Sequence, residues 1–267
     1  MSKTLYIDAD SLLYLTIFSR SNNGTDFDEQ EGEDFGVVKP DMKSLKAQFK
    51  ALVWDVVSSC EVESTIGEMT KFKDHILVFT GSTNFRYDIF PEYKNKRKDD
   101  KPDEFYKLKK WAVKKFGIIS DIAEADDIVS YYARKGHPIT SADKDVLKGT
   151  PGYHYDTYHK CFVRTSKKEA LEFTCLQALG GDSGDGIPGL PGIGIKLDFV
   201  NHKFVIKAPR ALKLLGDDKT LEKVVQIYID KGFDKDHAIT MIRLVHMGQI
   251  KKITRKGKIK LELYNEA

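Results

Sequence analysis

Residues 122–145, reading IAEADDIVSYYARKGHPITSADKD, constrain this chain more than any other stretch. Glu124, Asp126 and Asp127 open a helix whose buried stripe is Ile128, Val129, Tyr132 and Ala133, and acids in a first turn suit the positive end of the helix dipole. Glu124 and Asp127, three apart, share one face. After Gly136 the run from His137 to Ser141 is short and apolar enough for a buried strand. Asp143 and Asp145 then follow its carboxyl end, the edge where open parallel sheets hold ligands. Carboxylates gathered this way repel and raise one another's pKa unless cations neutralise them, and hard divalent ions with oxygen ligands do so. The expectation is a magnesium or manganese site. Either piece alone serves equally as a helix cap or a solvated loop, so the remaining chain has to decide.

With 267 residues, 41% hydrophobic and 31% charged, the chain can bury the core of one large domain or two small ones. No apolar stretch approaches the roughly 20 residues of a membrane span, and the opening MSKTLYID runs into a strand instead of a signal peptide. A cytoplasmic location without membrane contact is expected. Cys60, Cys161 and Cys175 lack Cys-x-x-Cys spacing and point to reduced, buried thiols. The net charge of +3 is small, so its distribution matters more than its sum. Residues 20–39 carry an acidic run without apolar periodicity or EF-hand spacing and read as a mobile, solvated loop.

Thr4–Asp8 is a strand with a helix starting near Ser11, which puts Asp8, and with it Asp10, at a strand's carboxyl end, where an Asp also serves as an N-cap. Leu45, Phe49, Leu52, Val53, Val56 and Val57 repeat at helical spacing, and residues 75–80 form the next strand. This alternation predicts a mostly parallel α/β sheet. Residues 84–98 interleave aromatics with cations, Tyr93, Lys94, Lys96 and Arg97 among them, and lead into a helix over 104–116. Such a segment suits a phosphate backbone with stacked bases, although a solvated basic helix has the same composition. Residues 153–164 pair as two strands turning near His159 and Lys160, with His154 and His159 on the hairpin surface, and a helix follows over 167–179.

The stretch GGDSGDGIPGLPGIGIK, residues 180–196, is the most specific in the chain. Asp182 and Asp185, three apart, can join the acidic cluster, while Gly189, Gly192 and Gly194 let the backbone turn tightly. Turned amides without side chains make a nest for a phosphate oxygen, and a helix beginning near Ile195, behind Lys196, is expected to add its dipole. Helices near 208–215, 219–231 and 234–247 complete an α-helical second half, and residues 251–260 are basic and partly strand-like.

Together these motifs make the chain resemble the 5′-nuclease superfamily of flap endonucleases and 5′→3′ exonucleases, most closely those of tailed bacteriophages. The resemblance spans about residues 4–247. It implies a PIN-like α/β fold with a mostly parallel central sheet and an α-helical helix-hairpin-helix lobe. The implied division is residues 1–179, including a gateway region at 84–116, against 180–267. It implies two Mg²⁺ or Mn²⁺ ions on Asp8, Glu124, Asp126, Asp127, Asp143, Asp145, Asp182 and Asp185, with K⁺ held by hairpin carbonyls. It assigns Lys94 and Arg97 to the scissile phosphate and Tyr93, Lys96, Gly189, Gly192, Gly194 and Lys196 to DNA. The expected partner of this monomer is duplex DNA with a 5′ end or flap, or an RNA/DNA hybrid. The expected reaction is Mg-dependent 5′→3′ hydrolysis leaving 5′ phosphates, in phage DNA replication or degradation. Flap cleavage, RNase H-like primer removal and non-catalytic DNA binding are the alternatives. Many members place an Asp after the second strand, whereas this chain has Thr80-Gly81-Ser82. The missing carboxylate predicts a high Mg²⁺ requirement, which Gly81→Asp would lower.

Overall fold

The computed structural model describes residues 3–18, 41–66, 72–95 and 101–265. The acidic run at 20–39, together with Lys96 and Arg97, lies outside them. Strands β1 (Lys3–Asp8), β2 (Phe72–Thr80), β3 (Gly117–Ser120), β4 (Ile139–Ser141), β5 (Gly152–Asp156) and β6 (Cys161–Thr165) form one sheet in the order β3-β2-β1-β4-β5-β6. The five strands β3, β2, β1, β4 and β5 are mutually parallel, and β6 returns antiparallel at the edge. The order runs outward from β1 in both directions, so the carboxyl ends of β1 and β4 flank a topological switch point, where a crevice opens.

Alternate residues explain why both faces are covered. Leu5, Ile7, Leu77 and Phe79 pack on one side against Leu13, Phe49 and Leu108, from helices α1 (Asp10–Phe18), α2 (Met42–Ile66) and α4 (Asp103–Phe116). Tyr6 and Val78 face the other side, against Ile128 and Val129 of α5 (Ala125–Arg134) and Val146 of α6 (Lys144–Gly149). Strands buried on both faces read as near-continuous apolar runs, as ILVF in β2 does. Each fully buried Leu or Phe contributes roughly 1.5–3 kcal/mol.

A second core joins α7 (Lys167–Gly180), α8 (Pro209–Leu215), α9 (Leu221–Asp230) and α10 (Lys235–Val245) around Leu176, Leu215, Val224, Tyr228 and Ile242. Cys175, Leu176 and Leu179 of α7 belong to it, so α7 contributes its C-terminal half to this core. Strands β9 (Ile250–Ile253) and β10 (Ile259–Leu261) pair antiparallel near the carboxyl end. No helix among the described residues is long and apolar enough to cross a membrane.

Two expectations need correction here. The helix expected near Ile195 is a β-hairpin, β7 (Lys196–Val200) against β8 (Lys203–Lys207). Its sequence alternates with period two, and Asn201 and His202 both adopt positive φ, 50° and 58°, as a two-residue hairpin turn demands. The lobe is therefore helical with a two-stranded insertion. His154, expected on the hairpin surface, is 1% exposed, its ring bonded through Nε2 to the Thr150 carbonyl, and burial depresses its pKa to about 4. Strand alternation points its side chain inward, opposite to Tyr153.

Candidate active site

A cleft of about 840 Å³ opens at the switch point, lined by Asp8, Asp10, Thr80, Glu124, Asp126, Asp143, Asp145 and Asp185, with Lys94, Lys101 and Lys109 among them. Each acid arrives for a local reason. Asp8 ends β1, and Ser141 at the end of β4 donates its hydroxyl to Asp8 Oδ2 at 2.9 Å while accepting the Asp143 amide at 2.9 Å. One hydroxyl thus ties the Asp8 carboxylate at the end of β1 to the Asp143 backbone just past the end of β4. Asp143 N-caps α6 by accepting the Asp145 amide at 2.7 Å. Asp182 accepts the amides of Gly184 and Asp185, folding the stretch after α7 back toward the cleft.

The electrostatics of the cluster are those of carboxylates short of positive charge. Burial, then Asp10 and Asp143, raise Asp8 to about 7. Burial and then Asp143 raise Asp145 to about 7, and burial with Asp8 and Asp143 pushes Asp126 well up. Three ammonium groups meet part of the demand, Lys109 Nζ at 3.6 Å from Asp10 among them. Lys94 Nζ lies 2.6 Å from Glu124 and 3.6 Å from Asp185; Lys144 Nζ lies 3.3 Å from Asp145 and 3.4 Å from Asp182. Burial alone would raise Glu124, but Lys94 and Arg86 hold it below the ordinary range. Among the described residues, no three His, Cys, Asp or Glu side chains converge closely enough to cage an ion as they stand. An all-oxygen set whose members drive each other's protonation is nonetheless the donor chemistry hard divalent ions take, so the residues fit such ions.

Asp127 departs from its expected place in the cluster. It is fully buried and bidentate with Arg86, Nη1 at 2.6 Å and Nη2 at 2.8 Å, and it also accepts the Glu124 amide at 3.2 Å. An Asp with both oxygens spent on a guanidinium closes the helix start and does not face the cleft. Arg86, which sequence reasoning missed, has 1% exposure, donates Nε to the Leu244 carbonyl at 2.8 Å, and ties α10 to α5. The one signal for it is an arginine flanked by Phe85 and Tyr87 in a short helix, α3 (Phe85–Ile89).

Tyr93 was expected to stack on DNA, yet it is 2% exposed and shares its hydroxyl between Glu124 Oε2 and Asp185 Oδ2, each at 2.9 Å. A ring packed inside the helical core has no face to offer a base. The gateway segment at 84–98 is not one helix among the described residues: α3 is followed by a turn over 91–95, in which Lys94 takes φ 55° and its amide donates to the Asp185 carbonyl.

At Gly81 a Cβ would lie 2.4 Å from the Ser120 carbonyl oxygen and 2.1 Å from an Asp121 carboxylate oxygen. Gly81→Asp therefore tests folding before it tests metal affinity. The residue that ends β2 beside the cleft is Thr80, whose Oγ1 accepts the Ala125 amide at 2.9 Å and whose amide donates to Asp10 Oδ2 at 2.9 Å. Asp10 is the carboxylate the sequence only half singled out.

In the glycine loop, Gly189 takes φ 60° with its backbone against the end of α7, where a Cβ would fall 2.4 Å from the Gly181 amide. Gly192 takes φ 73° and its carbonyl accepts from Arg210 at 2.7 Å; a Cβ at Gly194 would meet nothing within 4 Å. Gly189 is thus a packing requirement, and Gly192 to Gly194 is the part open to a ligand. Lys196 opens β7 instead of a helix.

The chain is similar to a 5′-3′ exonuclease of Buchnera aphidicola subsp. Schizaphis graminum, 28% identical over 215 residues, covering 72% of this chain and 67% of that one. It is similar to an exodeoxyribonuclease of Enterobacteria phage T3, 26% identical over 206 residues, covering 67% of this chain and 68% of that one. Its fold matches the T5 D15 protein co-crystallised with metal ions at a TM-score of 0.60 and 15% identity, over 92% of this chain and 89% of that one. No family model matches. An open α/β sheet with an acidic crevice at its switch point, in a chain whose relatives are exonucleases, defines the class: a nuclease. Within it, the sequence is similar to 5′-3′ exonucleases and a phage exodeoxyribonuclease, and the fold is that of the T5 D15 protein.

Proposed function

We propose that this protein is a structure-specific 5′-nuclease that hydrolyses phosphodiester bonds of DNA from a 5′ end and leaves 5′-phosphate products. The observation that carries the reading is the convergence of Asp8, Asp126 and Asp143, brought from β1, α5 and the end of β4 to one crevice, where burial and neighbouring carboxylates raise the pKa of Asp8 and Asp126. Asp8, Glu124, Asp126, Asp143, Asp145, Asp182 and Asp185 would hold two divalent ions, which supply an activated water and offset charge on the scissile phosphate.

The chain's own groups account for the rest. Ser141 ties the Asp8 carboxylate to the Asp143 backbone, and the Tyr93 hydroxyl keeps Glu124 and Asp185 at a fixed distance across the two lobes. Lys94, on the cleft wall, would present its ammonium to a non-bridging phosphate oxygen, and Arg97 is proposed for the same partner. The open glycines Gly192 and Gly194, with Lys196 and a carbonyl-bound K⁺, would hold the duplex by its backbone without reading bases.

The test is release of nucleotides from 5′-labelled duplex DNA on addition of Mg²⁺ or Mn²⁺, run beside a 5′ flap and an RNA/DNA hybrid. Product bearing a 5′ phosphate is expected, and the preferred substrate assigns exonuclease, flap or primer-removal activity. Binding of all three without cleavage by either metal would leave a DNA-binding protein and overturn the reading.

A further inference from the structure

The β7–β8 ribbon stands where a helix was expected, and apart from Lys196 at its start, already assigned to the duplex, its outward face has no role in the chemistry above. Strand pairing sets Lys196 opposite Lys207, Asp198 opposite Val205 and Val200 opposite Lys203 on that face. The other face, Leu197, Phe199, Phe204 and Ile206, is turned inward. Phe199 stacks on His159 at 3.6 Å between ring centroids, Phe199 and Phe204 pack against Leu147, Cys161 and Val163 of the sheet lobe, and Ile206 packs on the helical core. The ribbon is therefore pinned to both lobes and cannot turn its lysines over.

Like charges directly opposite one another across a ladder destabilise it. Here Asp198 relieves part of that repulsion, at 3.5 Å from Lys196 and 2.5 Å from Lys207, leaving the side chains of those lysines 74% and 62% exposed. Val200 and Val205, 51% and 42% exposed, show that no element of the described chain covers this face. Its charge balance is positive, and it follows directly on the open glycines at 192–194. A rigid two-stranded ribbon is also a shape that a duplex groove admits.

We propose that the outward face of this ribbon, through Lys196, Lys203 and Lys207, is a phosphate-contact surface that grips duplex DNA beyond the cleft. The proposal rests on the nuclease reading above. Each contact made through a lysine releases condensed counterion, so its loss should lower the slope of log affinity against log salt by about 0.9.

The experiment is equilibrium binding of fluorescent duplexes of increasing length in Ca²⁺, across a salt series, for wild type, Lys203→Gln/Lys207→Gln and Asp198→Asn. All these positions sit on an exposed face, and thermal melts check that the fold is kept. The double variant should lose about 0.9 of slope per lysine and bind long duplexes no more tightly than short ones. Asp198→Asn, removing the acid that offsets the lysines, should bind more tightly than wild type. A double variant with the wild-type slope, or an Asn variant that binds no more tightly, overturns the ribbon surface while leaving the nuclease reading intact. A wild type that binds no duplex at any salt overturns the nuclease reading itself.

Discussion

Asp143 is the residue on which the charge of the cleft converges, since its carboxylate contributes to the raised pKa of Asp8, Asp126 and Asp145 alike. Asp143→Asn keeps an oxygen to cap α6 but removes that charge. Cleavage should fall by ~10² or more, because a displacement of about 1 Å at a reacting centre costs that much, while DNA binding stays near wild type. Single-turnover rates beside equilibrium binding check it, and normal turnover would take Asp143 out of the site. The vacancy after β2 is tested at Thr80, since Gly81 has no room for a side chain. Thr80→Asp retains an acceptor for the Ala125 amide and adds a carboxylate to the cleft wall, so half-maximal activity should come at lower Mg²⁺. Gly81→Asp should instead lower the melting temperature. An unshifted Mg²⁺ curve in a stably folded Thr80→Asp protein would show that no ligand is missing there.

At the scale of elements, Arg86 is the strut between α3, α5 and α10, through Asp127, Glu124 and the Leu244 carbonyl. Removing one partner of a buried pair strands the other charge, at a cost of about 3–5 kcal/mol, whereas replacing both with apolar groups is often near neutral. Arg86→Met should therefore destabilise strongly, and Arg86→Met with Asp127→Leu should recover most of the loss in urea titrations. Equal instability of the single and double variants would mean that the strut acts through Glu124 and Leu244 instead. The glycine loop has its own test. Gly192→Val would confound a left-handed backbone with any lost contact, but Gly194 lies outside the positive-φ set and a Cβ there meets open space. Gly194→Ala should fold normally and weaken duplex binding by the same factor for every sequence, as a backbone contact requires. A change in sequence preference at constant affinity would exclude the nest.

Across the whole molecule, the acidic crevice joins the two cores, so its state of charge should register in global stability. Asp8 and Asp145 have folded pKa values raised to about 7 from 3.8, so the native state binds more protons than the unfolded chain between those limits. By linkage their contribution is favourable at low pH and is lost as pH rises from about 4 to 7. Divalent ions compete with those protons. The rise in melting temperature on adding Mg²⁺ should be larger at pH 8 than at pH 5, as differential scanning fluorimetry would show. An equal rise at both pH values would place ion binding away from these carboxylates.

The acids at strand ends, the alternating elements and the glycine run were legible in the sequence because each is a local pattern with one local physical cause. Asp8, Asp143 and Asp145 lie beside strand ends, and strand ends are set by short apolar runs; the same logic placed the helices of the second half. What the sequence did not determine were the contacts between residues far apart in it. Nothing within a few positions of Asp127 announces that Arg86, 41 residues earlier, takes both its oxygens, or that Tyr93 turns inward to bridge Glu124 and Asp185. A buried charge finds its partner only when packing brings the helices together. Residues 196–207 became a ribbon because Phe199 and Phe204 find a surface on Leu147, Cys161 and Val163, supplied by α6 and β6. Local composition fixed where the carboxylates stand; which of them face the cleft, and which are spent holding it together, was decided by tertiary packing.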